Sequence, residues 1–123
     1  MSKEIVKVTT YPALVGKVLA IQRESQEADQ INFATQMGLT QSSWSRIERG
    51  VATINSEQLN KAAQLLNTSA GNLLHQADML KEAFEAKGGK VIEKKEAETL
   101  STGMKLVGAA AIAALLFAIV KNK

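Results

Sequence analysis

The twenty residues Gln30–Arg49, QINFATQMGLTQSSWSRIER, decide the fold. Two helices that cross at roughly 90–120° through a three- or four-residue turn leave little room at the crossing. This stretch fills the crossing with suitable side chains. Phe33 and Ala34 lie on the inner face of the first helix, Ala34 being small enough for a close crossing, and Met37 extends that face by one turn. Gly38 supplies a turn residue that reaches positive φ without steric cost. Leu39 plugs the corner, and the hydroxyl of Thr40 is placed to cap the second helix. Trp44 and Ile47 then fall i, i+3 on the buried face of that helix, which Gly50 ends as a C′ residue. The pattern is that of a helix-turn-helix.

Working outward, the 123 residues hold one Pro, no Cys and 4% aromatics, enough for one helical domain of about 80 residues with appendages. Without Cys there are no disulfides and no Cys-based zinc sites, which suits a reducing cytosol. MSKEIVKVTT at the N-terminus has no apolar signal-peptide core, so the working end is expected to stay in the cytoplasm. The periodicity predicts a short strand at 5–9 and five helices near 13–26, 30–37, 41–49, 56–66 and 70–87. Ser56, followed by Gln58 and Leu59, reads as the cap of the fourth. Leu73, Ala77, Leu80 and Phe84 recur at 4-3-4 spacing on the fifth, as either core or a dimer seam. Gly88–Gly89 ends that helix, and 90–98 either continues as helix or lays Val91–Ile92 beside the N-terminal strand. The expected organisation is an arm or strand over 1–12, the helix-turn-helix domain over 13–87 and a charged linker over 88–103. A membrane helix over 104–120 and a tail over 121–123 follow, giving an all-α fold with a single C-terminal span.

From about Leu14 to Leu74, roughly half the chain, the sequence resembles the lambda-repressor-like (XRE, Cro/cI) family, and TQSSWSRIERG (40–50) is close to that family's recognition-helix pattern. The resemblance implies a five-helix DNA-binding domain whose partner is double-stranded DNA. It implies a buried ion pair between Arg23 and Glu48, clamping the first helix to the third. It places Gln41, Ser42 and Arg46 at base edges, where an Arg pairs bidentately with guanine, and Gln30 at a phosphate beside a helix N-terminus. Ser43 and Ser45 are further candidates on the same helix, and Arg49 is placed to reach the DNA backbone. Three features depart from the family. Gln26-Glu27-Ala28 stands where Gly-Leu is usual, the loop Val51–Asn55 lacks basic residues, and Trp44 replaces a smaller Ile or Val, either as core or as an anchor for a protein partner.

The apolar run Leu106–Val120 covers fifteen residues, six of them Ala and one Gly. As a helix it is about 22 Å long against a hydrocarbon core of about 30 Å. Lys105 and Lys121 can snorkel to the two interfaces, and counting from Leu100 gives twenty-one residues with one charge near one end. A chain this small has no spare core to surround a helix apolar on all sides, so the run reads as a single-span tail anchor rather than a buried or surface-lying helix. Ala110, Ala114 and Ala118 form a small-residue ridge that lets two such helices approach closely and makes a homo-oligomer the expected state. Lys81, Lys87, Lys90, Lys94, Lys95 and Lys105 precede the run while only Lys121 and Lys123 follow it, which favours an inner-membrane protein with its N-terminal domain in the cytoplasm.

Charge divides the functional readings. Residues 1–80 carry seven Lys and Arg against seven Asp and Glu, so the net charge of +3 belongs to the lysines around the tail. Phosphate neutralisation supplies most sequence-independent DNA affinity, and a neutral module depends on dimers or local clustering. The principal reading is a membrane-anchored DNA-binding regulator or DNA tether, bacterial or phage, whose paired tails raise the effective concentration of two heads. The alternative is a membrane adaptor whose helix-turn-helix binds a cytoskeletal or envelope protein, because the layout is also similar to bacterial cell-shape proteins of the RodZ type. An enzyme has the least support. His75 is the only His, no nucleophile–base pair or metal-ligand spacing is recognisable, and no cofactor is expected. Glu93, Glu96 and Glu98 beside Lys94 and Lys95 read as a solvated charged stretch.

Overall fold

The structure, a computed structural model, describes residues 6–97 and the strand 104–106, without the side chains of Val6 and 104–106. Its elements run β1 (Val6–Thr10), α1 (Tyr11–Ser25), α2 (Gln30–Met37), α3 (Gln41–Glu48), α4 (Ser56–Leu65), α5 (Ala70–Ala86), β2 (Lys90–Ile92), α6 (Lys94–Ala97) and β3 (Met104–Leu106).

Local chemistry sets the bounds of the five main helices at both ends. Side chains of Thr10, Asp29, Thr40, Asn55 and Ser69 each accept the backbone N–H three residues on, so every N-terminus has one of its orphan donors satisfied. Asn55 therefore replaces Ser56 as the cap of α4, and Gln58 completes a capping box by accepting the Asn55 N–H at 3.0 Å. At the C-termini a left-handed residue follows each helix: Glu27, Gly38, Gly50, Asn67 and Gly88. In each case the N–H of the next residue returns to the carbonyl five residues back, the Schellman arrangement, as in Ala28 to Arg23 and Leu39 to Ala34.

α1 is the central helix. Ala13, Leu14, Val15, Gly16, Val18, Leu19, Ala20 and Arg23 are all buried, because α3, α5 and the sheet cover it from different sides. Gly16 and Gly50 set how closely α3 approaches: a methyl group on Gly16 would run into the carbonyl oxygens of Ile47 and Glu48, and one on Gly50 into the backbone of Ala13. Leu73, Ala77, Leu80 and Phe84 are at most 3% exposed, so the α5 stripe is core rather than a dimer seam. Ile31 and Val51 are the large exposed hydrophobics among the described residues.

The fold is mostly helical, as expected of a helix-turn-helix domain, and adds a three-stranded parallel sheet of order β2-β1-β3 with β1 at its centre. β2 pairs with the C-terminal half of β1 (Val8 with Lys90, Thr10 with Ile92) and β3 with its N-terminal half on the opposite edge (Val6 with Met104, Val8 with Leu106). The expected linker 88–103 therefore contains β2 and α6. Val91–Ile92 takes the place beside the N-terminal strand, where β-branched residues suit a pleated, half-buried surface. The expected membrane helix does not begin at 104. Met104–Leu106 is strand, its apolar–charged–apolar sequence having the period of two that suits the unpaired edge of β1. The rest of that segment, with Ala110, Ala114 and Ala118, lies outside the described residues. Among those described, no helix is long and apolar enough to cross a membrane.

Candidate nucleic-acid interface

α3 splits cleanly into two faces. Trp44, Ile47 and Glu48 are buried, while Gln41, Ser42, Ser43, Arg46 and Arg49 are exposed and Ser45 is half-buried at the boundary. Thr40 holds the start of the helix by accepting the Ser43 N–H at 3.1 Å and donating its hydroxyl to Ser43 Oγ at 3.0 Å. Beside α3 runs an open groove of about 290 Å³, with Leu39, Ile47 and Ala52 as its apolar lining and Ser43, Arg46, Thr53 and Gln58 as its polar lining.

Behind the exposed face sits a buried polar hub. Arg23 donates from Nε to Glu48 Oε2 at 2.7 Å and from Nη2 to Glu48 Oε1 at 3.0 Å, the bidentate fork that suits guanidinium and carboxylate. Its Nη1 donates to the carbonyl of Ala28 at 2.8 Å, tying the α1–α2 corner into the same unit. The Glu48 hydrogen bond raises the Arg23 pKa, against the opposing effect of burial. Trp44 Nε1 donates to Glu48 Oε2 at 2.6 Å, and its ring lies 4.9 Å from that of Phe33 at a 41° tilt. The indole is thus both core and hydrogen-bond donor, and no part of it is exposed to anchor a partner.

The hub reaches the surface through Gln30. Its Nε2 donates to Glu48 Oε1 at 2.8 Å, and its Oε1 accepts from Gln41 Nε2 at 3.4 Å. The Glu48 oxygens accept from Arg23 and Trp44 as well, so the Gln30 amide turns its nitrogen inward and its oxygen toward Gln41. Gln41, which donates one N–H to this bond, is itself exposed. Two candidates from different helices are in this way held as one unit. Arg46 on the exposed face of α3 and Arg49 at its C-cap are both exposed.

Sequence reasoning did not anticipate the Trp44–Glu48 contact or the Gln30–Gln41 bond. The i, i+4 spacing of Trp44 and Glu48 was the available signal for the first. Nothing local signals the second, which joins residues eleven apart across the turn. The departure at Gln26-Glu27-Ala28 is also accounted for. Glu27 takes the left-handed conformation at φ 58°, Ala28 half-buries against the core, and Gln26 Nε2 donates to the carbonyl of Leu66 at 2.8 Å. Among the described residues, no group of three or more His, Cys, Asp or Glu could hold a metal ion, and His75 is exposed.

The fold is shared with solved structures. A crystal structure of the clp gene regulator ClgR from Corynebacterium glutamicum superposes with a TM-score of 0.61 at 21% identity, covering 63% of this chain and 82% of that one. A second ClgR structure gives 0.53 at 22% identity over 55% of this chain and 88% of the other. These likenesses establish the helix-turn-helix fold. No protein-family profile matches the chain, and no curated relative does.

Proposed function

We propose that this protein is a DNA-binding transcription regulator or DNA tether that reads the major groove with α3 and is held at a membrane by its C-terminal apolar run. The observation that carries the reading is the two-faced α3. Its inner side chains are consumed by the core and the hub, while Gln41, Ser42, Ser43, Arg46 and Arg49 face outward. An exposed amide such as that of Gln41 suits the N6 and N7 edge of adenine, and Arg46 has the fork that matches guanine O6 and N7. Gln30 supports Gln41 from behind, and Arg49 reaches toward the backbone. ClgR, similar in fold, is described as a gene regulator.

The test is genome-wide crosslinking and immunoprecipitation of the intact protein, with Arg46→Ala as control. Discrete peaks that vanish in the variant are expected. On a preferred duplex, Arg46→Ala should cost about 1–3 kcal/mol, and equal loss on every sequence would reassign Arg46 to a phosphate. A second reading is favoured by one observation, the balance of seven basic and seven acidic residues over 1–80. A neutral head suits a membrane adaptor that docks a cytoskeletal or envelope protein, and absence of enrichment anywhere on the genome would establish that role.

A further inference from the structure

We infer that Asp29 is a specificity-determining residue of this interface, whose fixed carboxylate holds down sequence-independent affinity for DNA. The inference rests on the DNA reading proposed above. Gln30, the first residue of α2, is bonded to Gln41, the first residue of α3, so the N-terminus of α2 borders the reading face. A duplex engaged by α3 brings its sugar-phosphate backbone to that border, where the N–H groups and positive end of a helix ordinarily receive a phosphate.

In this chain the position is already held by an anion. Asp29 Oδ1 accepts the Asn32 N–H at 2.7 Å, and Oδ2 accepts Asn32 Nδ2 at 2.7 Å, so both oxygens are anchored at the helix end. Neighbouring charges reinforce the effect. The Arg23 guanidinium pairs with Glu48 and lies 3.6 Å from Glu24, and the charge of Asp29 also acts on it. Glu27, exposed in the turn just before, adds a fourth acid to the corner. α2 contributes no basic residue in its last turn and no acid of its own in its first. A phosphate arriving there meets net negative charge and a helix dipole already offset, so productive binding must draw on base contacts from Gln41 and Arg46.

The cap and the charge are separable, because Asn and Ser cap helices about as well as Asp. Asp29→Asn and Asp29→Ser in the full-length chain remove the charge and keep the cap, and Glu82→Gln removes one exposed charge from α5 as a control. Binding to a random-sequence duplex would be measured across a salt series. Both Asp29 variants are expected to bind roughly two- to fivefold more tightly than wild type at low salt, with the gain fading as salt screens it. Glu82→Gln should match wild type. No gain in either Asp29 variant, or an equal gain in all three, would overturn the inference while leaving DNA binding in place. If neither wild type nor the Asp29 variants retains any duplex, the DNA reading itself falls, and this inference falls with it.

Discussion

Glu27 is the residue whose conformation and identity disagree most. Five helices end in a left-handed residue; three of these are Gly and one is Asn, the types that tolerate this region, and the fifth is Glu27 at φ 58°. For a residue with a Cβ that conformation costs roughly 1–2 kcal/mol, partly offset in any Gly replacement by the greater freedom of Gly in the unfolded chain. Glu27→Gly should therefore stabilise the head by about 0.5–1 kcal/mol, read as a higher urea midpoint at unchanged slope. A lower midpoint would mean that the Glu27 side chain contributes something its exposure does not suggest. Glu48 illustrates the opposite situation, a residue on which several others converge. Donors from Arg23, Gln30 and Trp44 meet on one carboxylate, so the position serves the core and the exposed face of α3 together.

At the scale of elements, α1 and α5 are joined near the start of α1 by a contact that gives the fold an alkaline limit. Tyr11 donates its hydroxyl to Asp78 Oδ1 at 2.7 Å, and burial, followed by the Asp78 hydrogen bond and charge, raises its pKa to about 12 from 10.0. The folded chain therefore holds this proton more tightly than the unfolded one. The contribution is fully present below pH 10 and is lost as pH rises from about 10 through about 12. Melting temperature should fall over that window in wild type and fall less in Tyr11→Phe. The helices themselves were legible in the sequence, because caps, apolar periodicity and the Gly38 and Gly50 stops are local signals. The sheet was only half legible. Two of its strands have three residues each, and parallel pairing across some eighty residues leaves no trace in periodicity. For the site, the exposed face of α3 followed from helical spacing and the Arg23–Glu48 pair from family resemblance. The Gln30–Gln41 bridge depends on how two helices are set against each other, which spacing does not encode.

For the whole molecule, the position of β3 changes how the tail should be tested. Cutting before Met104 removes a strand that pairs with β1, whereas cutting after Leu106 leaves every described element intact. On the proposed reading, with paired tails bringing two heads together, a chain ending at Leu106 should melt like the full-length protein yet bind a two-fold site more weakly. Equal affinity and stoichiometry in the two proteins would remove tail pairing from the mechanism. The head itself offers little to replace it. Among the described residues its large exposed hydrophobics are Ile31, on α2, and Val51, in the loop after α3.

The central place of β1 also imposes an order on biosynthesis. β1 leaves the ribosome well before its partners are made: each of its residues paired with β2 meets one 82 positions later (Val8 with Lys90, 90 − 8), and β3 comes later still. At translation rates of about 5–20 residues per second, the strand waits roughly 4–16 seconds before β2 exists. During that interval the helices can already pack around α1, while both edges of β1 stay open to pairing with another chain. The nascent protein is therefore most vulnerable to misassembly just before β2 and β3 emerge, and their quick closure onto β1 is what ends that exposure.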